Sequence, residues 1–340
     1  MKKLITSIAL IFGSIAASGQ QDPQFTQFMH NKLFMNPAYA GMKGALCFST
    51  IGRQQWAGFD GSPRSGIFSA DFASPVLHGG IGINMLYDEL GFESNMNYDF
   101  NYSYHIEKIC DGTLGIGIDA GIFSKRVGPT GSQSWVATTN WQTDGSIPPQ
   151  LKKYIFDYGA GIWYERKNLW FGISSSHLNA KLIDAGMSGV HQLKYQMARH
   201  YFITGGYIFQ QGSWQFQPSF LVKSDATITS AEINMNALFN QRFWFGMSYR
   251  VKDAICPMIG FQWTNDKPAV YAEATDNAPP VLIQKARPGN TMKIGFAYDY
   301  TTSNLKNYNS GTFEIFLNYC IPVSRTVPTT KVLDTRQGNW

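Results

Sequence analysis

Beyond residue 19 the chain has no apolar run of the ~18 residues that a membrane-spanning helix requires, which excludes helical transmembrane anchors in the body of the protein. Charge is also scarce. Asp, Glu, Lys and Arg make up 15% of the residues, against roughly 25% in a typical soluble domain. The net charge of +5 is small for 340 residues, and no block of Lys and Arg with interleaved aromatics forms a nucleic-acid footprint. Cysteine is limited to Cys47, Cys110, Cys256 and Cys320. None lies in a CxxC pair, so neither a thiolate zinc cluster nor a disulfide-built scaffold is indicated.

Aromatic residues are abundant, with 17 Tyr, 24 Phe and 9 Trp. The chain opens with Lys2 and Lys3, an apolar stretch from Leu4 to Ala17, and small residues at Ala17-Ser18-Gly19. This is the layout of a secretory signal cleaved before Gln20. An exported chain with little charge, many aromatics and no hydrophobic helix suits a transmembrane β-barrel, whose apolar surface is spread over alternate residues. A soluble β-sandwich shares that composition, so the pattern along the chain has to decide.

Period-two alternation is the dominant pattern. Met96, Tyr98, Phe100, Tyr102, Tyr104 and Ile106 fall on one face of a strand, with Asn97, Asp99, Asn101, Ser103 and His105 on the other. Successive strand side chains point to opposite faces, so one side suits lipid and the other a polar interior. On that register Arg should be costly at Phe100 and cost much less at Asn101. The same alternation recurs from Leu114, Phe156, Trp214, Ile233, Met292 and Phe313. About fourteen such runs begin near Ala45, Arg64, Gly79, Phe92, Gly112, Tyr154, Leu169, Arg199, Trp214, Ala231, Arg242, Ala254, Met292 and Thr312. An even count is expected of a bacterial single-chain barrel.

The fold expected is therefore an all-β outer-membrane barrel of about 14 antiparallel strands. Its expected divisions are a signal over 1–19, a periplasmic or plug segment over 20–44, the barrel over 45–320 and a periplasmic tail over 321–340. Pro218 predicts a bulge or distorted pairing. The best helical candidate is short, around Leu178 to Ile183. With a periplasmic N-terminus, segments 125–153 and 177–198 become extracellular loops, and 264–290 becomes an unusually long periplasmic connection. That connection reads either as a partly ordered excursion such as a short hairpin or as an idle insertion, with an outer loop as the alternative if the strand count is off by one. Cys47 and Cys320 share the polar face at the same ends of the first and last strands, which pair in a closed barrel, so a disulfide across that seam is proposed against the alternative of two separated thiols.

Chemistry-bearing constellations are weak. Gly115, Gly117 and Gly121 miss the dinucleotide fingerprint and precede no helix, so they read as inward glycines that relieve crowding. Ser103 with His105, and Ser174-Ser175-Ser176 beside His177, lack the geometry of a nucleophile and its base. The sequence shows no catalytic, cofactor-binding or metal-binding motif, so no cofactor is expected and an enzyme is not indicated.

Six segments in order carry a family resemblance: Gln21–Met29, Asn36–Gly41, Gly52–Pro63, Tyr87–Gly91, the pair Asp157–Tyr164 and Gly172–Leu178, and Lys293–Ser303. Together they resemble the PorP/SprF family of type IX secretion and gliding machinery. The long segment before Lys293 and the ending Arg336–Trp340 depart from the family pattern. The resemblance implies a non-enzymatic barrel in the cell outer membrane, surrounded by outer-membrane lipid. It would assist secretion and surface anchoring of an exported adhesin-like protein bearing a C-terminal sorting domain, alongside type IX secretion components. It marks Asn36, Pro37, Tyr39, Gly41, Arg53, Trp56, Asp60 and His177 as motif positions that could contact partners. The rival reading is a 14-stranded passive transporter of hydrophobic small molecules, with residues 20–44 as its plug.

Overall fold

The computed structural model describes residues 22–58, 60–128, 151–180, 182–187, 191–265, 270–271, 282–284 and 289–323. The expected signal and most of the expected tail lie outside the described residues. The strands are β1 (Ala45–Gln54), β2 (Arg64–Ser74), β3 (Gly79–Leu90), β4 (Glu93–Ile109), β5 (Gly112–Val127), β6 (Leu151–Arg166) and β7 (Leu169–Ser176). They continue as β8 (His200–Tyr207), β9 (Trp214–Ser224), β10 (Thr229–Phe239), β11 (Phe243–Arg250), β12 (Ala254–Thr264), β13 (Thr291–Thr301) and β14 (Thr312–Pro322). Phe209–Gln211 carries β8 onward along the same partner strand. Each strand pairs antiparallel with its neighbour in sequence, and β14 pairs with β1, closing a barrel of 14 strands.

Side-chain parity follows the alternation in the sequence. On the outer surface Phe100, Ile118, Phe156 and Ile233 are 53–61% exposed, an apolar ring that only lipid can cover. On the inner surface Asn101, Ser103 and Trp163 are at most 1% exposed. The strand starts agree with the sequence pattern to within a few residues. Between β4 and β5, Ile109 pairs with Gly112, and Cys110 and Asp111 in the turn both have positive φ, 47° and 61°. That conformation matches a primed two-residue hairpin, whose twist suits the strands it joins.

The seam is covalent. Cys47 lies directly opposite Cys320, their Cα atoms 4.1 Å apart, and the two form a disulfide. Directly opposed residues of a non-hydrogen-bonded antiparallel pair approach closely enough for this.

Three local expectations are revised or narrowed. No helix forms around Leu178 to Ile183. Leu182–Met187 instead pairs antiparallel with His191–Gln196, because a single helical turn is costly to nucleate whereas a hairpin satisfies its own backbone. Of the two outcomes expected at Pro218 the structure shows distorted pairing and not a bulge: its register with Met235 on β10 is unbroken, but on the β8 side pairing stops at Gly206↔Ser219 and resumes at Phe209↔Phe216. Lacking an N–H, proline drops a rung on one side only. Pro257 acts alike, with β12–β13 pairing interrupted between Ile255↔Tyr300 and Met258↔Ala297. Lastly, Asn101 faces a filled interior, so a much smaller cost of Arg there no longer follows.

The long connection before β13 leaves the barrel at the end that carries Cys47 and Cys320, since Thr264 pairs with Thr291 and Thr291 with Cys320. Within it Val270 pairs with Gln284 and Tyr271 with Leu282, a short hairpin.

Two measurements check this fold. In refolding titrations into lipid vesicles, Phe100→Arg is expected to cost about 2–4 kcal/mol and Phe100→Leu under ~1.5 kcal/mol; equal costs would refute the lipid-facing register. Thiol counting should find Cys110 reactive in the folded barrel and Cys256 only after unfolding, as their exposed and buried positions require. Cys47 and Cys320 should react only after reduction, and four reactive thiols without reductant would refute the seam disulfide.

Candidate functional site

The interior is occupied by the chain's own N-terminal segment. Residues 22–44 run down the lumen from the end bearing the long loops to the end where β1 begins. The local sequence shapes the path. Pro37 and Ala38 form a single 3-10 turn whose first exposed amide is capped by Asn36, the Ala38 N–H donating to Asn36 Oδ1 at 3.0 Å. The Asn36 amide then donates to the carbonyls of Ile162 and Ile173, at 2.9 and 3.1 Å, holding the turn against β6 and β7. Tyr39 packs edge-on to Trp163, with ring centroids 5.0 Å apart, and Trp163 stacks on Trp170. Lys32 Nζ sits 4.0 Å from the centroid of the Trp170 ring, a cation–π contact.

Inward glycines make this descent possible. A Cβ on Gly117 would sit 2.3 Å from the Ala38 nitrogen, and one on Gly80 would sit 2.3 Å from the Ala40 oxygen. The crowding these glycines relieve is therefore the close approach of a second backbone. Beside them Ser103 Oγ donates to the Ala38 carbonyl at 2.8 Å, and His105 Nε2 lies 3.0 Å from the Ala40 carbonyl. Ser174 Oγ donates to the Met35 carbonyl. These serines and His105 hold the segment rather than forming a nucleophile–base pair.

Two charged layers fasten the segment near the loop-bearing end. In the first, the Thr26 hydroxyl donates to Asp299 at 2.7 Å and accepts from Arg53 and Arg250, each at 3.0 Å. The backbone amides of Thr26 and Gln27 both donate to Glu314, at 2.8 Å. Arg53 pairs with Asp299 and Glu314, and Arg250 with Glu232 and Asp299, all within 3.3 Å. Every one of these side chains except that of the half-exposed Asp253, which also pairs with Arg250, is at least nine-tenths buried. Two guanidiniums face three buried carboxylates, so the groups sustain one another's charge at low cost only while all are present.

In the second layer Asp22 meets β7 and β8. His177 Nδ1 donates to Asp157 at 2.5 Å, His177 Nε2 lies 3.1 Å from Asp22 Oδ1, and His200 Nδ1 lies 3.4 Å from Asp22 Oδ2. Lys223 donates to the Asp22 carbonyl. Burial favours neutral forms at both Asp22 and His177, but neighbouring charge outweighs it. His200 and His177 hold the Asp22 carboxyl below the usual carboxylate range. Asp22 and Asp157 hold the His177 imidazole well above the usual histidine value. Such an ion pair persists through neutral pH, being lost only as pH rises through the raised histidine value or falls through the depressed carboxyl value.

Of the motif positions marked by sequence, Asn36, Pro37, Tyr39, Gly41, Arg53 and His177 are thus brought together as the contacts between segment and wall. Gly41, with φ +75°, donates to Asp71 at 3.0 Å and leaves no room for a Cβ against Gly80. Trp56 and Asp60 stand apart on the β1–β2 loop, half-buried and exposed respectively. Asp22, Thr26, His200, Glu232, Arg250, Asp299 and Glu314 were not singled out in the sequence. Strand parity already placed Glu232, Asp299 and Glu314 inside, but their pairing joins positions far apart in sequence.

The wall itself is interrupted above this layer. Pairing between β6 and β7 ends at Ala160↔Ser175, while β6 continues back to Leu151. Among the described residues no strand pairs with Leu151–Gly159 on that side. Two hydrogen bonds among the described residues meet it, the Leu178 N–H to the Tyr158 carbonyl and the Asn179 amide to the Phe156 carbonyl, and the Leu182–Met187 strand lies near it without a paired register.

Comparison with known proteins bears on what this barrel is. Among solved structures the chain is similar to the CymD monoaromatic hydrocarbon channel, with a TM-score of 0.48 and 9% identity over 86% of this chain and 92% of that one. It is also similar to the Ralstonia pickettii toluene transporter TbuX, with a TM-score of 0.47 and 10% identity over 86% and 93%. The Acinetobacter baumannii outer membrane protein Omp33 matches at 0.37 and 7% identity over 82% and 99%. Likeness at this level carries no argument about function. No curated protein sequence matches the chain significantly. The profile of the type IX secretion system membrane protein PorP/SprF family, by contrast, matches residues 17–319. A match over nearly the whole chain, joined to a closed outer-membrane-type barrel, shows that this protein belongs to the PorP/SprF family and resides in the outer membrane.

Proposed function

We propose that the barrel is a non-enzymatic accessory that assists secretion and surface anchoring of a cognate exported protein. The observation that carries this reading is the edge of β6 at the loop-bearing end, which no strand among the described residues pairs with and which Leu178 and Asn179 meet only in part, at two carbonyls. Leu151–Gly159 presents backbone donors and acceptors that no strand among the described residues engages. An unpaired edge of this kind accepts an extended segment by strand addition, with main-chain hydrogen bonds supplying affinity. A β-rich sorting domain at the C-terminus of an exported protein has the chemistry to provide that strand. Arg126 on β5 and Lys152 on β6 lie side by side on the outer face at this level, so an acidic rim on the partner would complement them. Trp56 and Asp60, on the β1–β2 loop at the same end of the barrel, would add partner contacts from across its mouth.

The transporter reading is less well supported by the lumen. Residues 22–44 fill it with buried side chains, and two cavities beside the second charged layer measure about 40 and 120 Å³. That space suits water rather than a hydrocarbon solute.

Four outcomes are expected. A photo-crosslinker replacing Lys152 should capture an exported protein on intact cells, and deleting the gene should strip that protein from the surface. An unchanged surface proteome and unchanged secretion in the deletion strain would defeat the reading. Reconstituted protein should show no solute flux in liposomes. Arg53→Met, which breaks a buried ion pair, should weaken docking of the segment by about 3–5 kcal/mol, read as new protease cleavage within residues 22–44. Protection equal to that of the parent protein would show that the first charged layer does not hold the segment.

A further inference from the structure

We propose that Asp22, His177 and His200 form a binding site for a single divalent transition-metal ion of the zinc type, clamping the N-terminal segment to the barrel wall. The inference is independent of the anchoring role. The three side chains offer one carboxylate oxygen and two imidazole nitrogens, all within 4.8 Å of one another. His177 Nε2 lies 3.1 Å from Asp22 Oδ1, close to the edge of a zinc tetrahedron, and His200 Nδ1 lies 3.4 Å from the other oxygen, Oδ2, so a small rotation of the carboxylate brings both imidazoles to one oxygen. Bonds of ~2.0–2.1 Å place neighbouring ligand atoms about 3.3–3.5 Å apart.

Two further features point to a ligand. His200 is 3% exposed, and its Nδ1 makes no hydrogen bond among the described residues although it faces the Asp22 carboxylate. A buried imidazole nitrogen without a hydrogen bond is costly, and a metal would satisfy it. His177 is meanwhile oriented as metal-binding histidines are. Its Nδ1 donates to Asp157 at 2.5 Å, leaving Nε2 directed at Asp22, the carboxylate–histidine–metal arrangement that fixes the tautomer and strengthens the ligand. A cavity of about 120 Å³ bordered by Asp22, His177, His200, Asp88 and Glu93 adjoins the three groups. It has room for a water as fourth ligand.

Binding exchanges protons for the metal. His177 Nε2 gives up the proton it shares with Asp22, and His200 must carry its own on Nε2. The latter change costs the 3.3 Å contact from the Asp22 N–H. Lys223, donating to the Asp22 carbonyl, is a competing positive charge. Asp22, Asp225 and Asp88 all lie close enough to act on it electrostatically, so the neighbourhood retains negative charge to offset a dication. The segment would then be tied to both β7 and β8 at the level where the wall loses its pairing with β6.

The test uses the full chain in detergent micelles, stripped with EDTA and titrated calorimetrically with zinc chloride at pH 7. One equivalent should bind. His177→Gln and His200→Gln should each weaken binding at least 100-fold, and Asp157→Asn should weaken it by about 10–100-fold. His78→Gln, on an exposed turn, should leave it unchanged. Heat-modifiable gel migration verifies that each variant is folded. Should a variant not fold, the parent protein still decides: zinc should slow hydrogen exchange over residues 22–30 at pH 7, EDTA should reverse this, and the effect should vanish near pH 5 as protons displace the metal. Absence of binding, equal binding by the His177→Gln/His200→Gln double variant, or exchange indifferent to zinc would each overturn the proposal.

Discussion

Every amide in the lipid-facing wall needs its hydrogen-bond partner in an adjacent strand, because hydrocarbon offers none. That requirement dictates closure: β14 must return to β1, and the pairing runs without a gap from Ala45↔Pro322 to Gln54↔Phe313. The Cys47–Cys320 disulfide reinforces the seam where the first and last parts of the barrel meet. Among the described residues the departures from full pairing are the Leu151–Gly159 edge of β6 and two proline sites. Pro218 and Pro257 each remove a short stretch of ladder on one side while keeping the other.

Closure creates an interior, and the interior is where the energetics become specific to this chain. A 14-stranded ring is too wide for wall side chains alone to fill, and here the N-terminal segment occupies it. Backbone carbonyls and amides of that segment then need partners inside the barrel. Asn36, Ser103, Ser174 and Asp71 supply them midway, and Glu314 supplies two at once near the loops. The buried arginines follow from the same need. Carboxylates placed to receive amides must be neutralised, and Arg53 and Arg250 do so by bridging through Thr26 to strands that are distant along the chain.

The long, loop-bearing end departs from this regularity. There β7 and β8 stop short of the upper half of β6, and the Leu182–Met187 hairpin takes the place of continued barrel strands. The break, the second charged layer and the end of the N-terminal segment coincide.

The sequence by itself determined the wall. Period two assigns each side chain to lipid or lumen without reference to any other strand, so Phe100, Ile118 and Phe156 were legible as outward and Asn101, Asp157 and Asp299 as inward. Fourteen runs also implied closure, and closure left the Cys47–Cys320 approach as one of two alternatives, between which only the stagger of the strands decided. The contents of the lumen were legible only in part. Asn36, Pro37, Tyr39, Gly41, Arg53 and His177 stood out as motif positions, yet nothing in their spacing said that they touch one another or the wall. Only the tertiary structure decided that Gly117 receives Ala38, that Glu314 caps Thr26 and Gln27, and that Asp22 reaches His177 and His200. The reason is geometric. Strand periodicity fixes the direction of a side chain from its immediate neighbours, whereas contacts across a lumen depend on the tilt and stagger of all fourteen strands at once.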